Sequence, residues 1–202
     1  KSLTAQLDLE RLLNDISKLK NWPESIKKQQ IDWIGRSEGC EIKFYVDGTN
    51  EPLPVFTTRP DTVYGVTFVA IAPEHPLTLK ISKGTPYYDR VVEYVKRAQQ
   101  KDEIQRTAVG EKDGVFTGRY AVNPFNGDKV PIWTGDYALA AYGTGIVMGV
   151  PAHDERDFQF AKKYGLQIKV VIQPKEGLDP KTMEHAYVER GTMVNSGPFD
   201  GS

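Results

Sequence analysis

The chain has 202 residues, 39% of them hydrophobic and 26% charged, a composition typical of a folded domain and not of a disordered chain. No apolar run approaches the ~20 residues that a membrane-spanning helix needs, and the single cysteine, Cys40, favours a reducing compartment because it has no internal partner for a disulfide. The net charge of −1 excludes a protein that grips a nucleic-acid backbone by charge alone, so we expect any RNA to be held weakly by this chain and more firmly by a larger protein.

The N-terminal part of the chain predicts two helices. Apolar residues at helical spacing predict a helix over residues 7–20; they are Leu9, Leu12, Leu13, Ile16 and Leu19. Asn21-Trp22-Pro23 ends this pattern, and Pro23 suits the first turn of a second helix that ends near Gly35. We therefore expect residues 1–35 to form a helical segment that flanks a second domain, residues 36–202. The missing initiator methionine indicates either an excised fragment of a longer protein or processing of the chain.

From Glu41 onward the apolar residues recur with a period of two, which predicts a strand through Val46 and a hairpin turn at Asp47-Gly48. Further strands are expected at residues 53–58, 64–72, 115–122, 130–133, 145–150, 168–172 and 192–195. Helices are expected at residues 86–100, 154–164 and near 180–190, the second of them capped by Asp154 and stopped at Gly165. Short strands and helices without a strict alternation predict an α+β fold: a curled, mixed, partly closed, β-barrel-like sheet with peripheral helices.

A dense polar cluster follows the strand predicted at residues 53–58. Thr57, Thr58, Asp61 and Thr62 lie within six residues, and Arg59-Pro60-Asp61 predicts a turn. One interpretation is purely structural, with Pro60 at the second turn position. The other is that these hydroxyl and carboxyl groups hold a carbonyl or a ribose, because there are more of them than a turn requires.

A second segment of interest runs from Tyr142 to Asp157, about ninety positions further on. Asp154 and Asp157 are three residues apart at a helix start, which is typical of a capping-box-like arrangement and suits the helix dipole. The alternative is that one carboxylate projects into a pocket and binds a ligand ammonium. Gly143-Thr144-Gly145 lacks the spacing of a phosphate-binding loop, so it either lets the backbone approach a ligand closely or turns the chain.

Metal-dependent and triad-type chemistry have no support in the sequence. The three histidines, His75, His153 and His185, do not have the spacing of a zinc site, so no metal is expected. No Gly-x-Ser-x-Gly motif and no serine–histidine–aspartate set is recognisable.

Several blocks together resemble one family, and they occur in that family's order over most of the chain. The blocks are Asn21 to Glu24, Trp33 to Gly39, Thr57 to Thr62, Tyr142 to Asp157, and Phe160 to Leu166. The sequence is similar to the editing (connective polypeptide 1) domain of bacterial-type leucyl-tRNA synthetases, which are class I aminoacyl-tRNA synthetases. The related isoleucyl and valyl enzymes share these blocks more loosely. The HIGH and KMSKS signatures of the family are absent, so we expect no leucine activation by this chain.

The resemblance implies hydrolysis of the ester bond in tRNA(Leu) that carries norvaline, isoleucine or methionine. It implies that Thr62 crowds the branched side chain of leucine, and that Asp157 pairs with the α-ammonium of the substrate. Thr57 and Thr58 correspond to threonines that bond the terminal ribose, the ester or the attacking water, and Arg59 to an arginine that contacts the tRNA end. The remaining implied contacts are pocket-wall positions Tyr142, Met148 and Val150, and Phe56 beside the adenine.

The resemblance also implies partners and surroundings. The partners are the 3′-terminal adenosine of mischarged tRNA(Leu) and the rest of a synthetase chain. No membrane contact is expected, and the fragment is expected to be a monomer. No cofactor is expected in this domain, since ATP and Mg²⁺ act elsewhere in such enzymes. The expected location is the cytoplasm, or an organelle for a eukaryotic source. The alternatives are a module that binds the tRNA 3′ end without hydrolysis, and a structural insertion in which these residues only cap and turn the chain.

Overall fold

The computed structural model describes residues 11–34, 39–100, 112–140 and 143–202. The chain divides into two compact units, residues 1–38 and 39–202. In the first unit, residues 11–16 are helical (α1) and Glu24–Ile34 forms α2. The predicted first helix continues to residue 20, whereas α1 ends at Ile16, where the amides of Lys18 and Leu19 bond to carbonyls only three residues back. The predicted boundary between residues 35 and 36 lies outside the described residues.

A six-stranded mixed sheet forms the centre of the second unit. Its hydrogen-bonded order is β2-β1-β4-β5-β3-β6. The strands are β1 (Cys40–Val46), β2 (Pro52–Thr57), β3 (Phe68–Ile71), β4 (Gly114–Val122), β5 (Lys129–Gly135) and β6 (Ile146–Gly149). All pairs are antiparallel except β3 with β5, which are parallel. The described residues contain no helix that is long and apolar enough to cross a membrane.

The first hairpin confirms the period-two prediction. Ile42 faces Val55 and Phe44 faces Leu53 across the β1–β2 ladder, and all four side chains are buried. Their burial on one face of the sheet fixes the register, because a slip by one residue would turn the apolar set to the solvent. As a result, β2 ends at Thr57, with the threonine-rich turn directly after it.

Strands β2 and β6 stand at the two ends of the sheet order and approach each other closely. No hydrogen-bonded ladder joins them in the described part of the chain, so the sheet is mixed and open and its predicted barrel-like closure is not shown. The approach nevertheless brings the end of β2 beside β6, although about ninety residues separate them along the chain.

In the part of this unit that the structure describes, three helices lie on the periphery: α3 (Pro76–Ser82), α4 (Tyr88–Ala98) and α5 (Glu155–Tyr164). The short helix α3, whose start is capped by His75, was not predicted from the sequence. The predicted caps of α5 are confirmed: the Asp154 side chain accepts from the first-turn amides, and Gly165 ends the helix with φ of 65°. Phe160 of α5 stacks on Phe68 of β3 with the ring centroids 5.2 Å apart, and this contact attaches α5 to the sheet.

Residues 64–72, predicted as one strand, form two different elements. A 3-10 helix spans Pro60–Gly65, and only Phe68–Ile71 is strand. Pro60 suits the first position of the helix, and the Asn123 side chain donates to the Val63 carbonyl at 2.8 Å, which provides a tertiary partner for this turn.

Two predictions near the C-terminus are wrong. Only Ile172–Gln173 (β7) pairs as a strand, with Thr192–Met193 (β8), because the Val171 amide bonds to a His153 side-chain nitrogen instead. The helix predicted near residues 180–190 does not form: the Tyr187 amide donates to the distant Ala152 carbonyl, and the amide before it bonds to a side chain of α5. A second short 3-10 helix spans Gly197–Phe199.

Gly149 is required where β6 pairs with β3, opposite Phe68. A Cβ atom at this position would overlap the ring of Phe68, which is fully buried and stacked on Phe160. We expect Gly149→Ala to lower the free energy of unfolding by about 3 kcal/mol through overpacking, as measured by urea denaturation. Gly127→Ala is the control, since Gly127 has φ of 75° and open space around it; only the left-handed backbone cost of about 1 kcal/mol is expected there. Equal losses in the two variants would contradict the steric argument.

Candidate active site

A cavity of about 360 Å³ lies between the turn after β2 and the segment that joins β6 to α5. All of the predicted site residues that the structure describes line it: Phe56, Thr57, Thr58, Arg59, Thr62, Met148, Val150 and Asp157. Tyr142, the remaining predicted site residue, lies outside the described residues. The two sequence segments singled out separately therefore form opposite walls of one cavity.

The threonines of the first wall differ in what their hydroxyls do. The Thr57 oxygen accepts from the Arg59 amide at 3.0 Å, and the buried Thr62 hydroxyl donates to the Arg59 carbonyl at 2.8 Å. Thr58 is exposed and makes no hydrogen bond to another described residue. Two of the three threonines thus shape the turn as well as the cavity, and Thr58 presents the hydroxyl that is most available to a ligand.

Arg59 is held at the cavity by Asp61. Its Nε lies 3.0 Å from Asp61 Oδ1, and its Nη2 lies 2.9 Å from Asp61 Oδ2. The guanidinium side chain is 41% exposed, so this pair is solvent-screened and contributes little to folding. It does orient the guanidinium, whose Nη1 edge lies outside the pair and suits an anion such as a phosphate.

Asp157 is a buried carboxylate on the opposite wall. Its Oδ2 accepts from the Val150 amide at 2.9 Å, while Asp154 Oδ1 accepts from the Asp157 amide at 3.2 Å. Asp154 is therefore the helix cap, and the Asp157 carboxylate does not close a capping box; it reaches back to the end of β6. Of the two interpretations of Asp157, this geometry favours a carboxylate that faces the cavity.

The electrostatics of Asp157 are unusual. Burial, and next the nearby Asp154 carboxylate, raise the pKa of Asp157 to about 8, against the opposing effect of the Val150 N–H. At neutral pH the empty cavity therefore favours the protonated acid. A cation bound beside Asp157 favours the charged form, so the site is matched to a positively charged group.

Gly143 and Gly145 place the loop before β6 against the first wall. Both have positive φ, 55° and 75°, and a Cβ on Gly143 would lie only 2.6 Å from the Phe56 Cβ. The backbone at Gly143 thus approaches Phe56 closely, and an approach of Gly143-Thr144-Gly145 to a ligand stays a prediction.

Several other residues also line the cavity and were not predicted as site residues: Tyr137, Leu139, Val147, His153, Asp154 and Arg156. Arg156 and Asp154 belong to the block around Asp157, and that block is the signal that would have found them. Tyr137 follows β5 and carries no sequence signal, because only the tertiary fold brings it to the cavity.

His153 has both ring nitrogens engaged. Nδ1 lies 3.0 Å from the Tyr187 carbonyl, and Nε2 accepts from the amides of Val171 and Ile172 at 3.0 and 3.2 Å. This pattern requires a neutral ring with the proton on Nδ1, and burial lowers the pKa of His153 accordingly. His153 therefore ties the C-terminal segment to the site and is unsuited to act as a base. Within the described ranges, no group of three or more histidine, cysteine or acidic side chains has the arrangement of a metal site.

The comparisons with known proteins agree with this geometry. A family model described as "Leucyl-tRNA synthetase, editing domain" matches residues 31–202, and the chain belongs to this family of editing domains of aminoacyl-tRNA synthetases. The leucine–tRNA ligase of Nitratidesulfovibrio vulgaris (strain Hildenborough) is 55% identical over 195 residues, which is 95% of this chain and 24% of that protein. The leucine–tRNA ligase of Thermotoga petrophila is also 55% identical, over 96% of this chain and 24% of its own length.

A solved structure has a similar fold. The agnB2 LeuRS of Agrobacterium radiobacter K84, crystallised as a ternary complex with tRNA and LeuAMS, matches with a TM-score of 0.70 and 38% identity over 87% of this chain and 21% of that chain. The resemblance inferred from the sequence blocks is confirmed, as is the α+β class with a mixed sheet. The chain spans about a quarter of the length of the curated relatives it matches.

The raised pKa of Asp157 predicts how stability changes with pH. The folded state retains a proton up to about pH 8 that the unfolded chain releases near the usual pKa of 3.8, so this group lowers stability as pH rises between those values. Asn does not titrate and keeps an oxygen for the Val150 amide. We expect the stability of Asp157→Asn relative to the wild type to increase with pH from 5 to 8, by up to about 1.4 kcal/mol per pH unit.

Urea denaturation of both proteins at several pH values measures this difference. The lowered pKa of His153 acts in the opposite direction, but it is common to both proteins and cancels. Parallel stability curves for the two proteins would show that the fold does not retain the Asp157 proton.

Proposed function

We propose that this chain is the post-transfer editing module of a leucyl-tRNA synthetase. In this proposal it hydrolyses the ester between norvaline, isoleucine or methionine and the 3′-terminal adenosine of tRNA(Leu), and it leaves leucine attached. The observation that carries the proposal is the cavity in which the buried Asp157 carboxylate faces Thr58, Arg59 and Thr62. Membership in the editing-domain family supports it.

The reaction has a plain physical rationale. A hydrophobic pocket discriminates one methylene by only about 1–3 kcal/mol, which is too little for accurate translation, so a second site must remove the errors. Because these errors are not simply smaller than leucine, the second site has to exclude leucine by where its side chain branches. A rigid wall in the cavity is what such exclusion needs.

Thr62 suits that wall. It is fully buried, and its hydroxyl is fixed on the Arg59 carbonyl. Met148 and Val150 line the same cavity and are nearly as buried. In the proposal, Thr62 crowds the branched carbon of leucine, while unbranched side chains or those branched at Cβ pass beside it. Tyr142 remains a predicted wall position.

Asp157 suits the α-ammonium, the group that every aminoacyl ester carries. A charge-assisted bond between them compensates the cost of ionising a buried carboxylate. In this role Asp157 fixes the amino-acid end of the substrate, and its bond to the Val150 amide holds the carboxylate in place.

Water attack on the ester then needs positioning more than a strong base. Thr58 offers a free hydroxyl beside the bound ester, and Thr57 and Phe56 line the side assigned to the ribose and the adenine. Arg59 is placed to contact the tRNA end. Because His153 has both nitrogens bonded, we assign the rate enhancement to orientation and to stabilisation of the developing oxyanion.

The proposed partners are tRNA(Leu) and the rest of a synthetase chain, since the structurally similar LeuRS was crystallised with tRNA and is several times longer than this chain. We propose that this domain needs no cofactor and makes no membrane contact. We also propose that the fragment is a monomer and that it acts in the cytoplasm or in an organelle. The net charge of −1 supports weak capture of tRNA by the chain alone.

The first prediction from this proposal concerns Asp157. Single-turnover deacylation with the protein in excess compensates for weak capture, so norvalyl-tRNA(Leu) should be hydrolysed by the wild type and at least a hundredfold more slowly by Asp157→Asn. The wild type should also hydrolyse the N-acetylated ester slowly, because this ester has no ammonium. Asp136→Asn is the matched control, because Asp136 is equally buried and lies outside the cavity lining.

Each outcome of this assay has a clear meaning. Tight binding without hydrolysis by the wild type would favour the alternative of a tRNA-end binding module. Equal losses in Asp157→Asn and Asp136→Asn would mean that Asp157 serves only the fold.

The second prediction concerns Thr62. Thr62→Ala should open the wall, so that leucyl-tRNA(Leu) is hydrolysed at a rate approaching that of norvalyl-tRNA(Leu). Thr62→Val keeps the shape and removes the hydroxyl, and it should still protect leucyl-tRNA(Leu). The same deacylation assay with both esters measures this. Survival of leucyl-tRNA(Leu) in Thr62→Ala, with norvalyl hydrolysis intact, would show that Thr62 is not the barrier.

A further inference from the structure

Tyr137 places a polar group in the cavity that the roles described above do not use. Its side chain is 8% exposed, and its hydroxyl makes no hydrogen bond to a described residue. A buried hydroxyl without a partner costs free energy, so its presence requires an explanation.

The position of this hydroxyl is set by the packing of its ring. Tyr137 packs on Phe160 of α5, with ring centroids 5.4 Å apart and tilted by 58°. On another side of the ring lies Gly135, where a Cβ atom would come within 3.1 Å of the ring. With the ring fixed in this way, the hydroxyl stays at the wall of the cavity that also contains Asp157.

The Asp157 carboxylate has acceptor capacity to spare. Its Oδ2 receives the Val150 amide, whereas a charged carboxylate offers about four acceptor positions. No hydrogen bond of full geometry joins the Tyr137 hydroxyl to this carboxyl, but the two groups are near enough for hydrogen bonding to lower the pKa of Asp157, against the rise that burial and Asp154 cause. The other charged or titratable groups that line the same cavity are Asp154, Arg156, Arg59 and His153.

We propose that Tyr137 is a positioning residue of this site, whose hydroxyl donates to the Asp157 carboxylate when a substrate ammonium draws that carboxylate into its charged form. This inference rests on the proposed function. The ammonium and the phenol then share the anionic group with the Val150 amide, and the proton of the free acid leaves to solvent. The hydroxyl thus forms this hydrogen bond when the substrate is bound.

The phenol is suited to this task because it remains a donor. Burial, and next the Asp157 and Asp154 carboxylates, raise the pKa of Tyr137 well above its usual value, so the hydroxyl keeps its proton throughout the working range. A charged acceptor that comes within reach of such a donor gains a strong bond without any rearrangement of the ring.

The test is Tyr137→Phe, which keeps the ring and its packing. In single-turnover deacylation of norvalyl-tRNA(Leu) at varied protein concentration, we expect the rising limb of the pH profile to move up by about one pH unit, since one hydrogen bond to the charged form is lost. At pH 7 the half-saturating protein concentration should rise about tenfold, while the maximal rate at saturating protein stays within twofold of the wild type.

The matched control is Tyr164→Phe. Tyr164 packs on the same Phe160 ring, with the ring centroids 4.6 Å apart. Its hydroxyl, however, donates a hydrogen bond to Asp113, which lies outside the cavity lining. Loss of a hydroxyl from this aromatic cluster should lower stability without moving the pH profile. A profile that moves equally in both variants, or in neither, overturns the inference.

A second measurement separates this inference from the proposed function and needs no substrate. In the wild type, labelled with ¹³C at the Asp157 carboxyl and the Tyr137 Cζ, both resonances should titrate with the same midpoint. In Tyr137→Phe the carboxyl midpoint should rise by about half to one pH unit. Independent midpoints in the wild type overturn the inference even if the variant is too unstable to study. Failure of the wild type to hydrolyse any ester overturns the proposed function, whereas the titration still decides whether the phenol and the carboxylate are coupled.

Discussion

The burial of one carboxylate organises this domain. Asp157 lies at the start of α5, and its side chain turns back to the Val150 amide at the end of β6. Burying an acid costs free energy unless it forms hydrogen bonds. Here Asp154 caps the helix, so the Asp157 carboxyl is not needed as a cap. The helix start, the strand end and the carboxyl group are joined in this way. The cavity therefore contains an acid whose pKa is raised to about 8, and a bound cation favours its deprotonated, anionic form.

The sheet supplies the opposite wall. Strand β2 ends at Thr57, and its approach to β6 places the threonine-rich turn across from Asp157. This approach depends on the order of the whole sheet, in which four other strands separate β2 from β6.

The structural and functional interpretations of the polar residues are compatible. Thr57 and Thr62 form hydrogen bonds within the turn, as the structural interpretation requires, and they also line the cavity. Thr58 is left free of such bonds in the described chain, and Arg59 is oriented by Asp61. The turn thus holds the wall rigid, which is the property that discrimination between similar side chains demands.

The sequence by itself determined the family, the first hairpin, the capped helix α5 and most of the residues that line the cavity, because these depend on local periodicity, on cap and turn chemistry, and on blocks that are contiguous in the chain. It did not determine α3, the division of residues 64–72, or the fate of residues 168–172 and 180–190, because backbone amides there bond to partners far away in the sequence, such as His153 and Ala152. Tyr137 is the clearest case: no local pattern distinguishes it from an ordinary core tyrosine. Only the packing of its ring on Phe160 brings its hydroxyl to the cavity wall beside Asp157, because the environment of a buried side chain is decided by elements that meet in space and not along the chain.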